Sequence, residues 1–370
     1  MQKIKSMENP FEYFSGLTDP RVERTREHLL EDILFISIAS VLCGAESWNE
    51  MEEFGKAKQD WLQTFLSLPN GIPSHDTFNR VFSALDPQEF EKSFIHWTQA
   101  IAKEFENEVI AIDGKNLCGT RTTTNKRVVH MVSAWAEKNH IVLGQVKVDD
   151  KSNEITAIPK LLEMLVIKGC IVTIDAMGCQ KEIASKIIEK QANYILALKG
   201  NQGSLKEQVE DSFRFLPIHS SNEQLDYGHG RIETRKCTVI SDLSMIEHKE
   251  DWSELKCVVK IESERYFKNT GKTEKDTRLY ISSVIPNAKL LNDSVRSHWS
   301  IENSLHWELD VAFNEDDSRK RNGFAAQNYS TLNRIALNLL KNEHSSKIGI
   351  KSKRLKAAWD NRYLIKLIKN

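Results

Sequence analysis

Val109-Ile110-Ala111-Ile112-Asp113 and Cys170-Ile171-Val172-Thr173-Ile174-Asp175 decide the fold of this 370-residue chain. Both stretches are short, rich in β-branched residues and free of charge until the final residue, so both predict buried strands. Each delivers an aspartate at its exit. A carboxylate at the end of a buried strand is costly unless positive charge meets it. Two of them on neighbouring strands of one sheet would hold a divalent cation. Glu302, in the helical-looking stretch Trp299-Ser300-Ile301-Glu302-Asn303, offers a third acid. Three oxygen ligands on a rigid scaffold are what magnesium-assisted phosphoryl transfer requires.

The pattern around the two strands extends this reading. Lys126–Trp135 and His140–Val148 read as two further strands joined by the Glu137-Lys138-Asn139 turn. Ile155–Leu165 and Gln180–Lys190 have helical apolar spacing, and Tyr194–Leu198 is a fifth strand. The order strand, strand, strand, helix, strand, helix, strand implies an antiparallel meander followed by parallel strands. It is the ribonuclease-H-like order, an analogy at the level of fold. In that order the first and fourth strands lie side by side, so Asp113 and Asp175 would meet. The expected class is α/β: a ribonuclease-H-like mixed sheet flanked by helices, with a β-rich insertion and an N-terminal helical domain. The expected divisions are a helical domain over 1–104, the first part of the core over 105–203, the insertion over 204–290, and helices completing the core over 291–370.

Bulk composition constrains the partners less than its distribution does. The formal net charge is −1, with 40% hydrophobic residues. Residues 1–100 carry nine Lys and Arg against sixteen Asp and Glu, whereas residues 341–370 carry nine against two. The basic tail, with Lys351, Lys353 and Arg354, is either a phosphate-contacting segment or a solvated helix end. Ser74 is a candidate N-cap for a short helix bearing Arg80. The acidic surroundings favour an ordinary bundle helix there over a DNA-recognition helix. The six cysteines form no CxxC pair, which speaks against a zinc or disulfide framework and for a reduced, cytoplasmic setting. No signal peptide is evident, and Ile33–Val41 is too short to span a bilayer.

Polar and basic residues gather at the expected strand ends. Lys115, Arg121, Lys126 and Arg127 follow Asp113 with no acid among them, which suits a polyanion whose scissile phosphate must reach a metal. Gln180 follows Asp175, and Lys199, Asn201 and Gln202 follow the fifth strand. Arg296 and His298 precede Glu302 and complete the set assigned to DNA contact. His298, Glu302 and His306 share a helical face, which would suit zinc, but the hard aspartate oxygens favour magnesium or manganese.

Four motifs in order make a resemblance specific. Ile112-Asp113-Gly114-Lys115, Ile174-Asp175-Ala176-Met177-Gly178-Cys179-Gln180, Ala197-Leu198-Lys199-Gly200-Asn201-Gln202 and His298-Trp299-Ser300-Ile301-Glu302-Asn303-Ser304-Leu305-His306-Trp307 resemble the bacterial insertion-sequence transposases of the H-repeat-associated group. The resemblance spans nearly the whole chain. It implies an Asp-Asp-Glu triad of Asp113, Asp175 and Glu302, two Mg2+ or Mn2+ ions, and cleavage and strand transfer of DNA. The implied partners are double-stranded DNA (terminal inverted repeats and a target) and a second copy of the chain, in the bacterial cytoplasm. Where the wider superfamily has Tyr-x2-Arg-x3-Glu-x6-Lys, this chain has Val295, His298, Glu302 and Leu309, so only the Glu is kept. The alternatives are a decayed, DNA-binding derivative and a stand-alone metal-dependent nuclease.

Overall fold

The computed structural model describes residues 10–102, 108–121, 128–149, 152–228 and 230–369. Six helices come first: α1 Pro10–Phe14, α2 Leu30–Leu42, α3 Trp48–Ala57, α4 Gln59–Leu62, α5 His75–Ala84 and α6 Pro87–Ile101. Helix α2 is apolar all round and buried from Asp32 to Leu42. Local capping sets the starts of its neighbours. Ser47 and Glu50 form a capping box on α3, Ser74 accepts from the Thr77 amide on α5, and Asp86 caps α6 ahead of Pro87.

The sheet begins with β1 Val109–Leu117, β2 Val129–Ala136 and β3 Ile141–Lys147. Helix α7 Glu154–Met164 leads to β4 Ile171–Ile174, and α8 Lys181–Glu189 leads to β5 Asn193–Leu198. After α9 Gly203–Phe215 come β6 Ser220–Gly228, β7 Arg231–Ile240, β8 Cys257–Phe267 and β9 Thr273–Ser282. The spatial order is β3-β2-β1-β4-β5-β9-β8-β7-β6 in one nine-stranded sheet. Strands β1, β2 and β3 are antiparallel neighbours, and β1, β4 and β5 run parallel. This is the ribonuclease-H-like core. The segment expected as an insertion does not form a sheet of its own. It extends the core sheet, because β9 pairs antiparallel with β5, Leu196 opposite Ile281.

Five helices close the chain: α10 Ala288–His298, α11 Trp307–Phe313, α12 Ala325–Asn342, α13 Ile350–Trp359 and α14 Asn361–Lys369. Buried side chains of α10, Leu291 and Val295, pack on Ile171, Ile195, Val259 and Tyr280 of the sheet. Helix α12 joins the sheet to the N-terminal helices. Its Asn338 side chain accepts from Val142 N at 2.8 Å and donates to Val142 O at 2.9 Å on β3. Its Asn328 donates to Phe82 O and Leu85 O, both at 2.9 Å, at the end of α5. One apolar cluster therefore runs from Phe35 and Phe82 through Leu332 and Leu339 to Val142 and Ile110.

Candidate active site

Register puts the two aspartates together. Ile112 of β1 pairs with Ile174 of β4 in parallel, so the next residues, Asp113 and Asp175, emerge on neighbouring strands at the same level. The two strands then diverge. Strand β4 stops at Ile174, whereas β1 continues to Leu117 against β2, with Asp113 opposite Ser133. Asp113 is thus not at a strand exit, as the apolar run suggested, but in mid-strand where the neighbour on one side ends. Asp175 starts a single 3-10 turn and caps it, its Oδ1 accepting from Met177 N at 3.0 Å. Asn201 and Gln202 fasten this turn from below β5. Asn201 Nδ2 donates to Ala176 O at 2.7 Å and Gln202 Nε2 to Cys179 O at 2.9 Å. These two hydrogen bonds hold the Asp175 loop.

Glu302 opens a π-helical turn, Glu302–His306, between α10 and α11, and its side chain is exposed. Such turns are rare and frequent at functional sites. Burial pushes the Asp113 carboxyl up to about 7; a hydrogen bond from the Gly114 backbone opposes the rise, and the charges of Glu154, Asp175 and Glu302 add to it. The charges of Asp175 and Glu302 thus reach Asp113.

Two histidines flank the acids without neutralising them. His298 Nδ1 lies 2.9 Å from Thr173 Oγ1 on β4, and burial pushes this ring down to about 4. His306 Nδ1 lies 3.6 Å from Asp113 Oδ2, too long for a hydrogen bond, and burial pushes it down to about 3. His306 Nε2 is buried and unpaired. Both rings are neutral at pH 7. Among the described residues, no set of three or more His, Cys, Asp and Glu side chains is gathered as a preformed metal cage.

The acids competing with Glu302 are mostly engaged elsewhere. Lys115 meets Asp310 at 2.6 Å and Asp316 at 3.1 Å. Glu315 is buried against Arg334 at 3.0 Å. Glu308 is half-buried, and burial raises its carboxyl despite the field of Lys341.

Several residues expected to touch DNA have other work. Lys115 is buried at 8% exposure in its ion pair, so it ties β1 to α11 instead of facing a phosphate. Lys353 and Arg354 are also buried. Lys353 donates to Leu340 O at 2.8 Å, and Arg354 donates to Val41 O at 3.0 Å and to Ala312 O. Those carbonyls lie in the last turns of α12, α2 and α11, where cations satisfy unpaired acceptors and meet the negative end of the helix dipole. Both charged ends are thus engaged by backbone carbonyls, whereas Lys351 is exposed. Arg296 is paired with Asp226, and His298 faces inward to Thr173. Gln180 is half-buried beside Met177 O, Lys199 and Arg121 are exposed, and Lys126 and Arg127 lie outside the described residues. No helix among the described residues is long and apolar enough to cross a membrane.

Residues 11–98 match the family model described as DDE_Tnp_1-associated, and residues 104–339 match the one described as Transposase DDE domain. A protein of Escherichia coli O157:H7 named as a transposase, YncI, is 42% identical over 370 residues, covering 97% of this chain and 94% of its own. YhhI of Escherichia coli K12, named as an H repeat-associated transposase, is 41% identical over 367 residues, covering 96% and 97%. A cryo-EM structure of a piggyBac transposase synaptic complex with hairpin DNA aligns over 99% of this chain and 83% of that one, at a TM-score of 0.44 and 11% identity.

Proposed function

The chain belongs to the DDE transposase family, and on that premise we propose that it cuts and joins DNA ends with Asp113, Asp175 and Glu302 as its triad. The observation that carries the reading is the parallel register of Ile112 with Ile174, which sets Asp113 beside Asp175, with Glu302 near enough for its charge to act on Asp113. The donor set fits hard divalent cations. The charges of Asp175 and Glu302 add to the effect of burial on Asp113, and the nearby ring of His306 is neutral. Repulsion of this kind is relieved by a cation entering between the oxygens. When bound, two magnesium or manganese ions would supply the charge that activates the attacking oxygen and steadies the leaving one.

The chain's own residues divide the remaining work. Asp113 and Asp175, at neighbouring strand positions, would both help to hold the cations. Glu302 would complete the set from the helical side. Asn201 and Gln202 keep the Asp175 turn in place. His298 and His306, being neutral, add no charge to repel a cation. The specific substrate is the pair of terminal inverted repeats of its own element, then a target duplex. Joining two ends calls for two copies of the chain.

The test is a reaction of the full chain with a duplex carrying the inverted repeats that bound its reading frame, plus a target plasmid and magnesium. Joined products are expected. Cleavage without joining would replace the reading with a metal-dependent nuclease. Binding without any cleavage would replace it with a decayed, DNA-binding derivative.

A further inference from the structure

The strands that extend the sheet carry arginines where the core carries acids. Ile174 stands beside Leu196 of β5, and Ala197, the next residue of β5, stands beside Tyr280 of β9. Tyr280 is therefore level with Asp175, two strands or about 10 Å away, and Arg278 lies beyond it at the same edge of the sheet. Register also fixes the face. Arg235 of β7, Ser263 of β8 and Asp276 of β9 stand in one row, so Arg265 and Arg278, two residues on from Ser263 and Asp276, share their side. Tyr280, on that side too, packs with Leu291 and Val295 of α10, and Thr173 meets His298 at the end of the same helix. Ala111 pairs with Thr173, so Asp113, two residues on, also belongs to the α10 face. A hollow opens on this face, bounded by Arg235, Ser263, Arg265, Arg278, Tyr280 and Trp299. Its charges are unevenly matched. One carboxylate, Glu233, is shared by Arg235 at 3.0 Å, Arg265 at 3.5 Å and Arg231 at 3.6 Å. Asp276 accepts from Arg278 at 2.7 Å, and the Arg278 guanidinium lies over the Trp299 ring, 4.5 Å from its centre. Glu274 and Lys275, one of each sign, stand at the outer rim. The Arg235 side chain is only 10% exposed, and its Nη1 is buried with no hydrogen-bond partner. A buried guanidinium donor left unpaired costs free energy that an arriving anion would recover.

We propose that this hollow is an anion subsite that receives one backbone phosphate of the DNA strand being cut, with Arg235, Arg265 and Arg278 as its donors. The inference rests on the reading of the neighbouring acids as the DNA-cutting site. A phosphodiester carries one negative charge on two free oxygens, which suits planar guanidinium forks better than a point charge. The hollow and the aspartates lie on one face and at one edge, so a strand seated in the first passes on to the second. Trp299, whose ring backs Arg278, stands three residues before Glu302 and ties the subsite to the segment that carries the third acid. Such a contact reads no bases. It fixes where along the strand the cut falls.

The experiment measures binding of the full-length protein, without divalent cation, to duplexes carrying the inverted repeats that bound its reading frame. Each duplex has a single phosphate replaced by a neutral methylphosphonate. In the wild type, replacement at one position near the cut should weaken binding about tenfold. Arg265→Gln and Arg278→Gln alter partly exposed side chains, and circular dichroism checks that both fold. Each should bind the unmodified duplex about tenfold more weakly and flatten the slope of log affinity against log salt by about 0.9. Neither should respond any longer to the replacement at that position. Variants that respond to it as fully as the wild type would overturn the proposal, and so would unchanged affinity and salt slope. Inorganic phosphate is the second probe. If it raises the melting temperature of the wild type but not of Arg265→Gln, while no methylphosphonate position matters, the ligand is free phosphate and the DNA assignment falls. Asp113→Asn should keep the wild-type response to the methylphosphonates. If it does so and still cleaves ends in magnesium, the triad reading fails and the phosphate subsite stands.

Discussion

At Asp113 a mid-strand carboxylate is buried within reach of the charges of Glu154, Asp175 and Glu302. Its carboxyl, ordinarily near 3.8, is held up at about 7. For an acid with a raised pKa the ionised form is the destabilised one. The penalty grows as pH rises from about 4 and is complete above about 7. Asp113→Asn should therefore melt several degrees higher than wild type at pH 8 without cation, and no differently near pH 4. The same variant should lose end cleavage while keeping end binding, since asparagine preserves shape but not the charge that binds a cation. Thermal melting and gel-shift assays of one preparation check both. Lys115 behaves in the opposite way. Its removal in Lys115→Ala strands Asp310 and Asp316, so about 1–3 kcal/mol of stability should be lost in urea unfolding. At this scale the sequence revealed the strand-borne acids because β-branched runs flag buried strands. It did not reveal that Lys115 pairs with Asp310 and Asp316 or that Lys353 and Arg354 meet helix carbonyls, because a buried cation carries the same letter as one that contacts phosphate.

On the proposed reading, the third acid is carried by the π turn Glu302–His306. A π turn holds one residue more than the α-helix around it can accommodate. Here Leu305 and Leu309 are buried while Glu302 is exposed. Deleting Asn303 should return the segment to α-helical winding and rotate either Glu302 or His306 away from the aspartates. The variant is expected to keep its circular dichroism spectrum and to cleave ends at least about a hundredfold more slowly, the scale of a misplacement near 1 Å. Wild-type cleavage rates in the deletion would show that the π turn is incidental. Nothing in the letters of 298–307 announces the turn, because its winding is set by what α10 and α11 pack on. Helix α5, by contrast, was readable from Ser74 at its cap.

For the whole molecule, the strand order of the first five strands was legible, since connection lengths and helix–strand alternation restrict how such a chain can fold. The continuation of the sheet through β9 to β6 was not. It depends on β9 finding the edge of β5, a contact between Leu198 and Leu279 that no local pattern encodes. The C-terminal helices close on a single buried acid. Glu343 accepts from Ser345 N at 2.9 Å, from Tyr363 Oη at 2.9 Å and from Lys366 Nζ at 3.2 Å. Burial opposes its ionisation, but the hydrogen bonds from Ser345, Tyr363 and Lys366 prevail and hold the carboxyl down at about 2. A depressed pKa gives stability that is full above about 4.5 and is lost as pH falls towards 2. Glu343→Gln should be less stable than wild type at pH 7, and its melting temperature should fall less steeply between pH 4.5 and 2. An identical acid slope would contradict this role for Glu343.

The central claim, that Asp113, Asp175 and Glu302 act as one catalytic set, is tested most directly by single-turnover end cleavage in magnesium. The variants are Asp113→Asn, Asp175→Asn and Glu302→Gln, with Asp310→Asn and Glu308→Gln as controls. The three triad variants should each be inactive while still binding end DNA, and the two controls should cleave at a measurable rate. An active Glu302→Gln beside a dead Asp310→Asn would contradict the account and move the third acid to Asp310.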